Sequence, residues 1–280
     1  MSNQKQKKRK KSYFAGECAI VTGASSGIGK EISRILVRDF GMMVFGVSRN
    51  LEKLERIKAE IESENPFGGS FVPYALDVTD IESIFDLRSH INTHCLNLRL
   101  VISNAGQMLP ITEFSRENEV QEKGMTNTNL IGAMNMARVF IPDLRHSPVK
   151  VGFVFVGSIA GIVPVPGCAA YSASKAGVKN FAESVIAENK KRKLYIGHMM
   201  PGMTNTNLFA KSGQDLPDWV RKYMTSASKM AEMIVNKARK RKKRCVLGAD
   251  AKIMRMCYRL NPSGFPRLMR RVLEKAGIYH

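Results

Sequence analysis

Cys18-Ala-Ile-Val-Thr-Gly-Ala-Ser-Ser-Gly-Ile-Gly29 is the stretch that decides the fold. Cys18–Thr22 reads as a short buried strand. Three glycines follow within seven residues, and a helical pattern then runs to Phe40. Glycines in that setting let the backbone turn tightly, approach a diphosphate closely and pack the helix against the strand. The helix N-terminus adds amide donors and the positive end of its dipole, which suit an anion.

Outward from that stretch, strands and helices alternate. Strands are expected at Met42–Ser48, Phe71–Leu76, Leu98–Ser103, Val151–Gly157, Tyr195–Met200 and Arg244–Leu247. Helices are expected over Leu51–Glu64, Ile81–His94, Glu117–Phe140, Tyr171–Lys191 and Ser228–Arg241. Continuously apolar strands between helices predict an α/β fold. The expected architecture is a single doubly wound, Rossmann-type domain over 13–249, with a seven-stranded parallel sheet covered on both faces. A disordered basic tail (1–12) precedes it, and a basic amphipathic helical extension (250–280) follows.

Composition narrows the class. With 280 residues and 44% hydrophobic content, one sizeable core is within reach. No apolar run reaches the ~20 residues of a membrane span. The charged N-terminus lacks the apolar core of a signal peptide, so a cytoplasmic protein is expected. Five scattered cysteines, without a CxxC pair, read as reduced thiols. Five histidines without a cluster predict no metal. The net charge of +20 sits mostly at the ends: residues 1–12 hold six cations, and residues 236–280 hold fourteen against Asp250 and Glu274. The body between is nearly neutral.

Two short patterns carry chemistry. At the end of the second strand the chain reads Val47-Ser48-Arg49-Asn50. A carboxylate there would favour NAD, whereas the Ser48 hydroxyl and Arg49 guanidinium suit a 2′-phosphate. NADP(H) is the predicted cofactor. Tyr171-Ser-Ala-Ser-Lys175 places a phenol and an ammonium on one helical face. Lys175 is expected to lower the Tyr171 pKa and fit it for proton transfer.

Taken with Ser103-Asn-Ala-Gly106, Asn129-Leu-Ile-Gly132, Ser158 thirteen residues before Tyr171, and Pro201-Gly202 followed by Thr206, these motifs resemble the short-chain dehydrogenase/reductase family over about residues 15–248. The first motif carries Ser103 where the family has Asn. The resemblance implies that Tyr171 donates the proton, Ser158 binds the carbonyl oxygen, Lys175 assists both Tyr171 and the nicotinamide ribose, and Asn129 anchors a water. Asn127 is a nearby rival for that last role. It further implies that Gly23, Ser25, Ser26 and Ile28 face the cofactor phosphates. Asp77, Val78 and Asn104 would hold the adenine end, and Thr206 the nicotinamide or diphosphate. Ser26 offers no positive charge, which leaves Arg49 the 2′-phosphate. A homo-oligomer, dimer or tetramer, is also implied.

The segment between Ser158 and Tyr171 is almost wholly apolar, and Met199, Met200, Met203, Leu208 and Phe209 are expected opposite it. Residues 207–228 look like a lid, with Gly213, Pro217 and Trp219. Cys168 reads as pocket wall. The expected substrate is a lipophilic ketone or alcohol, such as a long-chain 3-oxo compound. Hydroxysteroid and small-ketone oxidation are the alternatives, and a non-catalytic cofactor-binding scaffold is the rival of another class. Specific nucleic-acid binding is not expected. Within the extension, Ile253, Met256, Cys257 and Leu260 share one face, and Leu268, Met269, Val272 and Leu273 another. Packing on the body or on a neighbouring subunit is favoured there, with peripheral contact to an anionic membrane as the alternative.

Overall fold

The computed structural model describes residues 12–64, 68–95, 97–206 and 217–279. Most of the basic tail, Leu208, Phe209 and Gly213 of the expected lid lie outside them. The strands are β1 (Cys18–Thr22), β2 (Met43–Ser48), β3 (Ser70–Ala75), β4 (Leu98–Ser103), β5 (Val151–Val156), β6 (Leu194–Pro201), β7 (Thr204–Asn205), β8 (Thr225–Ser226) and β9 (Arg244–Leu247). Seven of them form one sheet in the order β3-β2-β1-β4-β5-β6-β9, with every pairing parallel. β7 and β8 pair separately.

Because side chains alternate along a strand, each face of the sheet gathers its own core. Ala19, Val21 and Val44 point to one face. There they meet Ile32 and Leu36 of α1 (Gly27–Phe40), Leu54 of α2 (Leu51–Ser63) and an apolar stripe farther along the chain. Ile20, Phe45 and Phe153 point to the other. They meet Ile84 of α3 (Ile81–His94), Phe140 of α5 (Gly132–His146) and Val178 of α6 (Ala169–Glu188). The first core is completed by Met230 and Ile234 of α8 (Ala227–Arg239). Strand order reverses between β1 and β4, and the crevice beyond their C-terminal ends is where such sheets bind ligands.

Two expectations change. The helix expected over Glu117–Phe140 is divided into α4 (Glu119–Thr126) and α5 by a π-helical turn at Asn127–Ile131. Such turns often mark functional sites, and this one carries Asn129 inward. The five cysteines are not all reduced thiols: Cys18 and Cys95 form a disulfide, with Cα atoms 6.3 Å apart. Cys18 opens β1, and Cys95 caps α3 just before β4. The disulfide joins residues 77 apart in sequence, brought together because β1 pairs with β4 at Cys18 and Leu98, which spacing alone does not reveal. Titration of the denatured, unreduced protein should count three thiols (Cys168, Cys245, Cys257), rising to five on reduction. Five without reductant would contradict the pairing.

Candidate active site

The site begins at a polar clasp. Thr22 is fully buried, and its hydroxyl accepts the backbone N–H groups of Asn104 and Ala105, each at 2.9 Å. The Asn104 side-chain amide returns a bond to the Thr22 carbonyl at 2.9 Å. The ends of β1 and β4 are thereby locked together. Gly23 turns the chain with φ +68°, and a Cβ there would come within 3.0 Å of Ala105 Cα. A Cβ on Gly29 would sit 2.3 Å from the Gly23 carbonyl oxygen, so no side chain is admitted. Ser25, Ser26 and Ile28 face a cavity of about 1120 Å³, and Thr206 lies against Gly27 on the same wall. The first turn of α1 holds no acidic residue, so its amides and dipole can serve an anion.

Farther along the cavity, Ser48 ends β2 and Arg49 follows it, while Asp77 and Val78 follow β3. Arg49 is 64% exposed and only loosely paired with Asp77, at 3.8 Å. Lys53 lines the same corner. Sequence reasoning missed it, although its place one helical turn beyond Arg49 was visible.

Ser158, Tyr171 and Lys175 line the cavity together. Lys175 Nζ is 5.8 Å from the centre of the Tyr171 ring. Burial raises the Tyr171 pKa to about 12, and the Ser158 hydroxyl pulls the other way. The expectation that Lys175 lowers this pKa is corrected: desolvation of the phenol dominates. Burial also pushes Lys175 down to about 8. Asn129 is buried behind this wall, whereas its rival Asn127 is exposed. The Asn129 side chain accepts the Gln107 N–H at 2.7 Å and donates to the Gln107 carbonyl and the Ser174 hydroxyl, both at 3.0 Å. Ser174 in turn donates to the Tyr171 carbonyl at 2.8 Å. Gln107 and Ser174, both missed from sequence, thus tie the π-turn to the tyrosine helix. Their signal was adjacency to the Asn-Ala-Gly and Tyr-x-x-x-Lys motifs.

The cavity walls are apolar where expected on one side: Ile159, Ala160, Val165 and Cys168 line it. The Cys168 thiol is raised to about 12 by burial and stays neutral. On the opposite side Met203 lines the cavity, but Met199 and Met200 are buried and absent from its wall, with Met199 in the first core. That side is built instead by the C-terminal extension. Its helices are α9 (Ala249–Leu260) and α10 (Gly264–Lys275). Met254, Phe265, Met269 and Leu273 face the cavity, and Ile278 packs with Ile111, Cys168 and Val220. The Asp250 carboxylate fastens the base of α9 by accepting the Met203 N–H at 2.6 Å.

Residues 17–217 match the short chain dehydrogenase family. The chain belongs to that family. Among curated relatives, this short-chain dehydrogenase is 32% identical to the 3-oxoacyl-(acyl-carrier-protein) reductase of Vibrio harveyi, over 69% of this chain and 75% of that one. It is 30% identical to the NADPH-dependent 1-acyldihydroxyacetone phosphate reductase of Saccharomyces cerevisiae, over 69% and 63% of the two chains. A short chain dehydrogenase of Burkholderia cenocepacia in complex with NADP shares the fold. Its TM-score is 0.74 at 22% identity, covering 91% of this chain and 98% of that one. The protein is a short-chain oxidoreductase.

Lys175 makes the electrostatics testable. Its folded pKa near 8 lies below the ordinary 10.5. Between those values the unfolded chain holds the proton and the folded chain does not, so folding stability rises with pH across the window. Thermal melts of the ligand-free protein should therefore show wild type gaining on Lys175→Met between pH 8 and 10.5. Parallel pH curves would contradict the buried-ammonium account.

Proposed function

We propose that this protein is an NADPH-dependent reductase that converts a lipophilic ketone, such as a long-chain 3-oxo compound, to a secondary alcohol. The carrying observation is the convergence of Ser158, Tyr171 and Lys175 on a cavity that also carries an apolar wall of Ile159, Val165, Met203, Met254, Phe265 and Met269. The activities named for the two curated relatives act on acyl-bearing substrates, which supports the same class here.

The residues fit the dinucleotide. Gly23, Ser25, Ser26 and Gly27 line the cavity at the first turn of α1, and Arg49 and Lys53 offer two cations at the end suited to a 2′-phosphate. When bound, the reduced nicotinamide supplies the hydride. The chain's own groups manage charge and protons. Ser158 donates a hydrogen bond to the carbonyl oxygen as negative charge grows there. Tyr171, neutral with a pKa near 12, gives that oxygen its proton. Lys175 stabilises the resulting phenolate and, with a pKa near 8, can pass it a proton and regain one from solvent. Asn129 acts through Gln107 and Ser174 to hold the tyrosine helix, and is a positioning residue.

Tyr171→Phe should lower kcat for ketone reduction by about 10²–10⁴-fold, while NADPH binding followed by fluorescence changes little. In a carbonyl panel, long-chain 3-oxo esters should be turned over far faster than small polar ketones; activity confined to the latter would overturn the substrate class. Arg49→Ala should reduce the NADPH-over-NADH preference in kcat/KM by about tenfold or more, the value of a lost charge-assisted contact. An unchanged ratio would remove Arg49 from cofactor selection.

A further inference from the structure

α9 and α10 do more than wall the cavity. Ile253, Met256 and Leu260 of α9 are 57%, 57% and 78% exposed. Their spacing puts them on one helical face. Lys252, Arg255 and Arg259 repeat the same spacing one residue earlier and are all exposed, so a cationic stripe runs beside the apolar one. α10 continues the pattern: Leu268 and Val272 are 55% and 47% exposed, with Arg267 and Arg271 one residue before each. Leu268 and Val272 also line the cavity, as does Tyr223 at the end of α7 (Asp218–Tyr223), itself 76% exposed. On α10 the exposed apolar surface therefore reaches the cavity mouth.

Acidic groups barely offset this face. Asp250 is turned inward to Met203 N–H, and Glu274 pairs with Arg270 at 3.4 Å. Exposed side chains that alternate between apolar and cationic are complementary to an anionic lipid bilayer. Such a bilayer takes the apolar groups into its acyl boundary and the cations against its headgroups. A polyanion such as nucleic acid would use the cations and leave the apolar stripe in water. No helix among the described residues is long and apolar enough to cross a membrane, so the contact would be peripheral.

We infer that the α9–α10 face docks this protein on anionic membranes, with the mouth of the reductase cavity turned toward the lipid. Binding to vesicles is read without substrate or cofactor, so it stands or falls separately from the proposed reaction.

The test is flotation of the full chain with phosphatidylcholine vesicles, with and without phosphatidylserine. The protein should float with the anionic vesicles, and added salt should weaken binding. The triple variant Ile253→Glu, Met256→Glu, Leu260→Glu should bind at least about tenfold more weakly. These side chains already face solvent and do not line the cavity, so an unchanged melting temperature checks that the fold survives. Arg255→Glu with Arg259→Glu should weaken anionic binding alone. Failure of the wild type to float would overturn the inference. So would equal flotation of wild type and triple variant, or loss by the triple variant of a concentration-dependent dimer in place of vesicle binding, which would assign the face to a second copy.

Discussion

The rest of the site depends on the hydrogen-bonded clasp between Thr22 and the Asn104–Ala105 backbone. A buried hydroxyl must be paired, since leaving it unsatisfied costs about 1–3 kcal/mol. Here it takes two N–H groups that would otherwise be stranded where β4 leaves the sheet. The clasp holds the ends of β1 and β4 together at the point where strand order reverses. It aims the glycine turn to one side and the segment leading to Gln107 to the other. The glycine turn and the segment leading to Gln107 are thus fastened to one pair of strands.

From Gln107 the constraint passes through buried polar groups. Asn129 satisfies both backbone groups of Gln107 and reaches Ser174, which holds the Tyr171 carbonyl. The π-turn widens the helix where that asparagine must point inward. Burial then sets the chemistry. It keeps the phenol protonated and makes the ammonium easier to deprotonate. Two groups in one cavity whose pKa values are both moved from the ordinary range mark a candidate functional site.

Much of the fold was legible because its signals are local. The alternation of Ala19 and Val21 against Ile20 follows from a period of two, and the glycine turn follows from its position between a strand and a helix. The Tyr171–Lys175 spacing and the Arg49 corner were legible for the same reason. What could not be read depends on which distant segments meet. The Cys18–Cys95 pair needs the β1–β4 register. Met199 and Met200 look the same in sequence whether they face a cavity or a core, and the strand pleat decides. The extension's amphipathic pattern was visible, but its partition could not be: α10 turns Met269 and Leu273 to the cavity while α9 leaves Met256 and Leu260 in solvent.

In the proposed reaction Ser158 and Tyr171 act on one carbonyl oxygen. A double-mutant cycle on kcat, with NADPH and a long-chain 3-oxo ester, tests it most directly. If so, Ser158→Ala combined with Tyr171→Phe is about as slow as the slower single variant, because either loss disables the same step. Losses that multiply would show two independent contributions and contradict the account.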